Sequence, residues 1–204
     1  MKALPNILSS GRLVLTLLMF LALAGSAGNL PFMNGSVRWA MHEALLRFAF
    51  WAFVVAAATD FFDGWLARKL DAVTVWGAIL DPIGDKVLVC GAVLGLLSLG
   101  SHPELVLPSG LILFREFTVS ALREVGAARS IKLPVTTLAK WKTTLQLIAL
   151  GAALLSAAWE PFGLDSLLIR PLAIAAHSLL WVATLITLIT GYQYWNQTRL
   201  ALKG

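Results

Sequence analysis

The chain has 204 residues, 58% of them hydrophobic and 13% charged, with a mean hydropathy of +0.80. A water-soluble domain carries about a quarter charged residues, so this chain lacks the polar material to cover its own surface. That composition excludes a disordered chain, a nucleic-acid partner and a disulfide scaffold, and a net charge of +5 suits basic loops beside anionic lipid.

A membrane helix needs about 20 mostly apolar residues. Six stretches supply them, over 6–27, 44–66, 75–98, 105–125, 135–158 and 167–195. They predict an all-α integral membrane protein of six transmembrane helices, forming a single transmembrane domain over 1–204. The first stretch also fits a cleavable signal peptide, with Lys2 and Arg12 ahead of an apolar run and the small residues Gly25 to Gly28 behind it. A first membrane helix is the preferred reading. Cys90, the single cysteine, lies in an apolar run and is expected to be a buried small hydrophobe.

Orientation follows from the basic residues of the short loops. With the N-terminus in the cytoplasm, twelve of the 16 Lys and Arg residues lie at or near cytoplasmic helix ends, against Arg38, Arg47 and Arg170 opposite and Arg115 within a span. Both termini are therefore expected in the cytoplasm.

The second and third stretches contain Asp60, Asp63, Asp81 and Asp85. An ionised carboxylate at membrane depth costs at least a few kcal/mol unless compensated (about 2.5–3.5 at a helix centre). Asp60, Asp63, Gly64 and Ala67 share one helical face, and Gly77, Asp81 and Asp85 recur every four residues on another. Two adjacent helices can thus aim four carboxylates into one space. Oxygen ligands without His or Cys suit Mg²⁺, Mn²⁺ or Ca²⁺, and two such ions about 4 Å apart can clamp a diphosphate. Arg68 offers a forked donor to phosphate, and Pro82 loosens its helix beside the site. A proton relay, an ion pathway or ion pairs with Arg68, Lys69 and Lys86 are the alternatives.

The run Asp60-x2-Asp63-Gly64-x2-Ala67-Arg68-x8-Gly77-x3-Asp81-x3-Asp85 has eight specified positions within 26 residues. It resembles the signature of the CDP-alcohol phosphotransferase family at every fixed position. The resemblance implies that Asp60, Asp63 and Asp81 hold two divalent cations, Mg²⁺ or Mn²⁺. Asp85, the fourth carboxylate of that metal cluster, is implied as the catalytic general base. It further implies that Asp60, Gly64, Ala67, Arg68 and Gly77 contact the CDP donor. The family has six transmembrane helices, a cytoplasm-facing cavity and usually a dimeric state, so a homodimer is expected.

Other segments resemble the branch of that family that makes phosphatidylglycerol phosphate in bacteria. Pro5-Asn6-x2-Ser9-x2-Arg12 is similar to its P-N-x2-T-x2-R opening, which adds Asn6 to the residues expected to bind CDP-diacylglycerol. Asp81-Pro82-x2-Asp85-Lys86 is similar to its D-P-x-x-D-K, and Arg115-Glu116-x4-Ala121-Leu122-Arg123-Glu124 to its R-E-x4-A-L-R-E. Ala139-Lys140-Trp141-Lys142-Thr143-Thr144-Leu145-Gln146 is similar to its G-K-x-K-T-x-x-Q, with Ala139 in place of Gly. The implied reaction joins CDP-diacylglycerol to glycerol 3-phosphate in the bacterial cytoplasmic membrane, with the active site facing the cytoplasm. Arg115, Arg123, Lys140, Lys142 and Thr143 are the expected acceptor-binding residues. Arg115 has the alternative of pairing with Glu116 or an aspartate, and Lys142 that of an ordinary topology charge. The other readings are a sister enzyme that uses inositol phosphate, serine or phosphatidylglycerol, and a cation channel or transporter.

Thr136, Lys140, Thr143 and Thr144 lie close to one helical face, a polar stripe inside a span. Trp39, Trp159 and Trp195 read as interfacial anchors. His42 and His102 are expected in loops and His177 in the last helix, none of them in the site. The resemblance thins out across the last helix and carries no functional residue over to it.

Overall fold

The computed structural model describes residues 4–31, 39–69, 75–100, 103–129 and 137–201, and within them the side chains of 4–6, 61, 63–69, 75, 76, 78, 103, 128 and 137–140 lie outside the description. The order is α1 Leu4–Ser26, α2 Trp39–Lys69, α3 Val75–Ser98, α4 Pro103–Ala128, α5 Thr137–Ala157 and α6 Ser166–Ala201. Each of the six apolar stretches is a helix.

Local chemistry sets several ends. After α1 the chain turns at Gly28, whose φ of 71° suits a residue without Cβ. Its amide donates to the Gly25 carbonyl at 3.0 Å, and Asn29 N–H donates to Ala24 at 2.9 Å. The α5–α6 turn passes through Gly163 at φ 61°. Asp165 then caps α6, its carboxylate accepting the Leu167 amide at 2.9 Å. Two helices outrun the apolar stretches that predict them. α2 starts at Trp39, which puts His42 in its first turns rather than in a loop, with Nδ1 donating to the Ser26 carbonyl at 2.9 Å. α6 continues to Ala201.

Among the described residues, four helices are long and apolar enough to cross a membrane, over Ile7–Ser26, Trp39–Asp60, Glu104–Ala127 and Ser166–Ala201. α3 and α5 fall outside that set; α3 contains Asp81, Asp85 and Lys86, and α5 has Lys140 and Lys142 near its start. Large apolar side chains such as Leu17, Trp51, Phe114 and Leu185 stand exposed. This reverses the partition of a water-soluble protein and suits a hydrocarbon solvent.

The helices form two compact units. One contains α1, α2, α3, the end of α5 and the start of α6; the other contains α4 with most of α5 and α6. In the first unit α1 packs against both α2 and α3. Glycines let α1 and α3 approach closely. A Cβ on Gly84 would lie 2.7–2.9 Å from the Arg12 guanidinium, one on Gly91 would lie 3.3 Å from Thr16 and Met19, and one on Gly95 would collide with Leu23. Small residues of this kind bring membrane helices together where no hydrophobic effect can. Arg12, Thr16, Met19 and Leu23 follow a four-three-four spacing along the facing side of α1.

Candidate active site

The close approach of α1 and α3 places a cation beneath the aspartates. Arg12 pairs with Asp60 of α2 and, on α3, lies 3.2 Å from Asp85 through Nη1 and 3.7 Å from Asp81 through Nη2. Ser9, one helical turn earlier, donates from Oγ to the same Asp81 oxygen at 2.8 Å. The Arg12 side chain is 0% exposed, whereas those of Asp60, Asp81 and Asp85 are 28%, 48% and 49% exposed. The guanidinium therefore lies behind the carboxylates, and they face outward.

Three of the four aspartates are thus brought together from two helices, as their spacing predicts. Asp63, Gly64, Ala67 and Arg68 lie in the last turns of α2 and Asn6 in the first turn of α1, with side chains outside the described residues. Gly77 is buried in the first turn of α3. Among the described residues no three metal-ligating side chains close into a ready-made cage. The donor set nonetheless fits divalent ions in its chemistry: carboxylate oxygens only, partly exposed, gathered on one side of a buried cation.

Sequence reasoning missed Arg12. It counts there as a topology charge, while the countercharge to the aspartates is sought in metals, Arg68, Lys69 or Lys86. Its place three residues after Ser9, in the P-N-x2-T-x2-R opening, is the signal that could have revealed it.

The second unit holds a cationic set. Arg115, buried on α4, donates from Nη1 to Glu116 at 3.2 Å and from Nη2 to Thr190 Oγ1 at 2.9 Å. Lys142, buried on α5, pairs with the same Glu116 oxygen. Arg123 donates from Nη2 to the Tyr194 hydroxyl at 2.7 Å. The guanidinium carbons of Arg123 and Arg115 lie 5.0 and 5.8 Å from the centroid of that ring. Gly191 makes room for the Arg115 stem, since a Cβ there would sit 2.8 Å from Cγ. Glu116 pairs with two of the three cations, Arg115 and Lys142, so the set keeps surplus positive charge.

Here the pairing of Arg115 with Glu116 is present, as the structural alternative for that residue holds. Lys142 is buried against a carboxylate rather than standing in a loop. Thr143 is part-buried one residue on. The side chain of Lys140 and all of Thr136 lie outside the described residues. The resemblance assigns no residue of α6, yet Thr187, Thr190 and Tyr194 are buried on one face of it. Thr187 accepts from Gln146 Nε2 at 3.1 Å. Buried polar side chains at three- and four-residue spacing in an otherwise apolar helix were the available signal.

Residues 2–191 match the family model for CDP-alcohol phosphatidyltransferase. The chain belongs to this family. Among its relatives, the CDP-diacylglycerol–glycerol-3-phosphate 3-phosphatidyltransferase of Rickettsia typhi is 38% identical over 196 residues, covering 96% of this chain and 97% of the relative. The protein of the same name from Rickettsia bellii is 45% identical over 144 residues, 71% and 75% of the two chains. That from Bacillus subtilis is 38% identical over 151 residues, 74% and 73% of the two chains.

Proposed function

We propose that this family member transfers the phosphatidyl group of CDP-diacylglycerol to glycerol 3-phosphate, releasing CMP and forming phosphatidylglycerol phosphate. The observation that carries the reading is the near end-to-end similarity to a relative named for that reaction, in a chain whose signature aspartates share one site.

The donor's acyl chains stay in the bilayer while its diphosphate meets the aspartates. Two divalent cations, Mg²⁺ or Mn²⁺, held by Asp60, Asp63 and Asp81, would offset the charge of the diphosphate and of the departing CMP. Asp85, half-exposed, accepts the proton of the acceptor hydroxyl. The hydroxyl oxygen bonds to the β-phosphorus, the bond from that phosphorus to the bridging oxygen breaks, and CMP leaves with the electron pair. Asn6, Gly64, Ala67, Arg68 and Gly77 bind the CDP-diacylglycerol head. Arg115, Arg123, Lys140, Lys142 and Thr143 bind the acceptor phosphate, whose two negative charges need a cationic partner next to so many carboxylates. Positioning and charge compensation dominate such phosphoryl chemistry.

All six helices cross the bilayer in this reading, α3 and α5 with their charged ends toward the site. The enzyme lies in the bacterial cytoplasmic membrane with the site and both termini facing the cytoplasm, and works as a homodimer. The test is transfer of radiolabel from glycerol 3-phosphate into extractable lipid. It should require CDP-diacylglycerol, release one CMP per lipid formed, and stop reversibly on chelation. Label uptake without CDP-diacylglycerol, or full activity in excess chelator, contradicts the reading.

A further inference from the structure

Arg12 is buried inside a membrane helix, where an unpaired cation is costly. A guanidinium in such a place ordinarily binds carboxylate through a parallel two-pronged fork, with its N–H groups satisfied. Here the pairing is uneven. Nη1 serves both Asp60 and Asp85, while Nε and Nη2 are buried without a hydrogen-bond partner. Those two nitrogens lie against the backbone of Gly84, in the space that a Cβ would take. The guanidinium is therefore seated by the shape of α3 as well as by its ion pairs.

Arg12 reaches Oδ1 of Asp60, Oδ1 of Asp81 and Oδ1 of Asp85. Ser9 reaches the same Oδ1 of Asp81 from the same helix. An arginine behind three carboxylates draws like charges together and fixes their orientation.

We propose that Arg12, seated on Gly84 and assisted by Ser9, is the positioning residue of the metal site: from the buried side it holds the ligands Asp60 and Asp81, with the base Asp85 beside them, so that divalent ions meet a preformed set of oxygens. The inference rests on the metal-dependent reading above. It concerns how α1 organises ligands that belong to α2 and α3. Its sign is set by two opposed effects. Removing a positive charge strengthens the attraction for a cation, while losing the brace lets the carboxylates spread. Outer-shell partners that orient metal ligands typically change affinity by about ten-fold to a hundred-fold, and the structure assigns Arg12 to that class.

The test measures Mn²⁺ binding by electron paramagnetic resonance on the purified full chain in detergent, without substrate. Wild type is compared with Arg12→Met and Arg12→Lys, with thermal unfolding in chelator as a check on folding. Arg12→Met should weaken Mn²⁺ binding by about ten-fold to a hundred-fold. Arg12→Lys keeps the charge but presents one compact ammonium in place of a planar fork, and should weaken binding as well. Should Arg12→Met not fold, Arg12→Lys decides alone. Unchanged or tighter Mn²⁺ binding in the folded variants overturns the inference, tighter binding marking Arg12 as a competitor of the ions. Wild-type binding at the level of Arg12→Lys shows that charge alone matters and overturns it equally. A wild type that binds no Mn²⁺ instead removes the metal-dependent reading on which it stands.

Discussion

The guanidinium of Arg12 occupies the space that a side chain on Gly84 would fill, with Nη2 2.7 Å and Nε 2.8 Å from the ideal Cβ position. Gly84→Ala therefore sets a methyl group against a side chain tied to Asp60 and Asp85, and the guanidinium must shift on its ion pairs to make room. Overpacking of this kind costs about 1–3 kcal/mol. Thermal unfolding in detergent should show the loss, and activity should fall with it. Gly91→Ala, whose Cβ would meet Thr16 and Met19 at 3.3 Å, should be milder. Equal effects at the two glycines would show that the Arg12 seat has no special place in the packing.

Asp85 and Asp81 share the Arg12 contact yet are assigned different roles, and kinetics can separate them. Asp85→Asn should lower kcat by about a hundred-fold to ten-thousand-fold, because proton removal matters only in the transition state. Affinity for CDP-diacylglycerol and Mn²⁺ should stay near wild type. A variant that no longer binds metal or donor places Asp85 among the ligands alone.

Tyr194 accepts a hydrogen bond from Arg123 and stacks beneath it, so it holds the arginine in one pose. Arg123→Ala should raise the KM for glycerol 3-phosphate by about ten-fold to a hundred-fold, the range of a charge-assisted contact. The KM for CDP-diacylglycerol should not move. Tyr194→Phe keeps the ring and removes only the hydroxyl, so its effect should have the same direction and be smaller. Wild-type acceptor kinetics in both would mark Arg123 as a topology charge.

Glu116 is shared by two buried cations, Arg115 and Lys142. Glu116→Gln leaves both facing a neutral amide and should destabilise the protein by about 3 kcal/mol, as when one member of a buried pair is removed. Adding Lys142→Met removes one stranded charge and should recover part of the loss. Strictly additive effects in that double-mutant cycle would show that the pair is not coupled.

How far the sequence reveals this molecule depends on the range of each signal. All six helices were legible because each is a long apolar run. Their ends were less so: α2 begins at Trp39, five residues ahead of the apolar stretch, with Glu43 of that extension pairing with Arg47 at 2.9 Å across one turn, and hydropathy does not mark a helix start that runs through His42 and Glu43. The aspartates were legible from helical spacing over 26 residues. Arg12 was not, since its partners lie 48 to 73 positions away and spacing along one helix says nothing of which neighbour it meets. Tyr194 was missed for a related reason. Nothing along α6 tells that the Tyr194 hydroxyl meets Arg123, 71 positions earlier.

The central claim concerns the acceptor, and the most direct measurement offers the purified enzyme CDP-diacylglycerol with several alcohols in parallel: glycerol 3-phosphate, inositol phosphate, serine and phosphatidylglycerol, with lipid products separated by mass. Phosphatidylglycerol phosphate should be the dominant product, formed with CMP, and serine should be a poor substrate because it brings no phosphate to the cationic set. Preferential use of serine, inositol phosphate or phosphatidylglycerol would contradict the account.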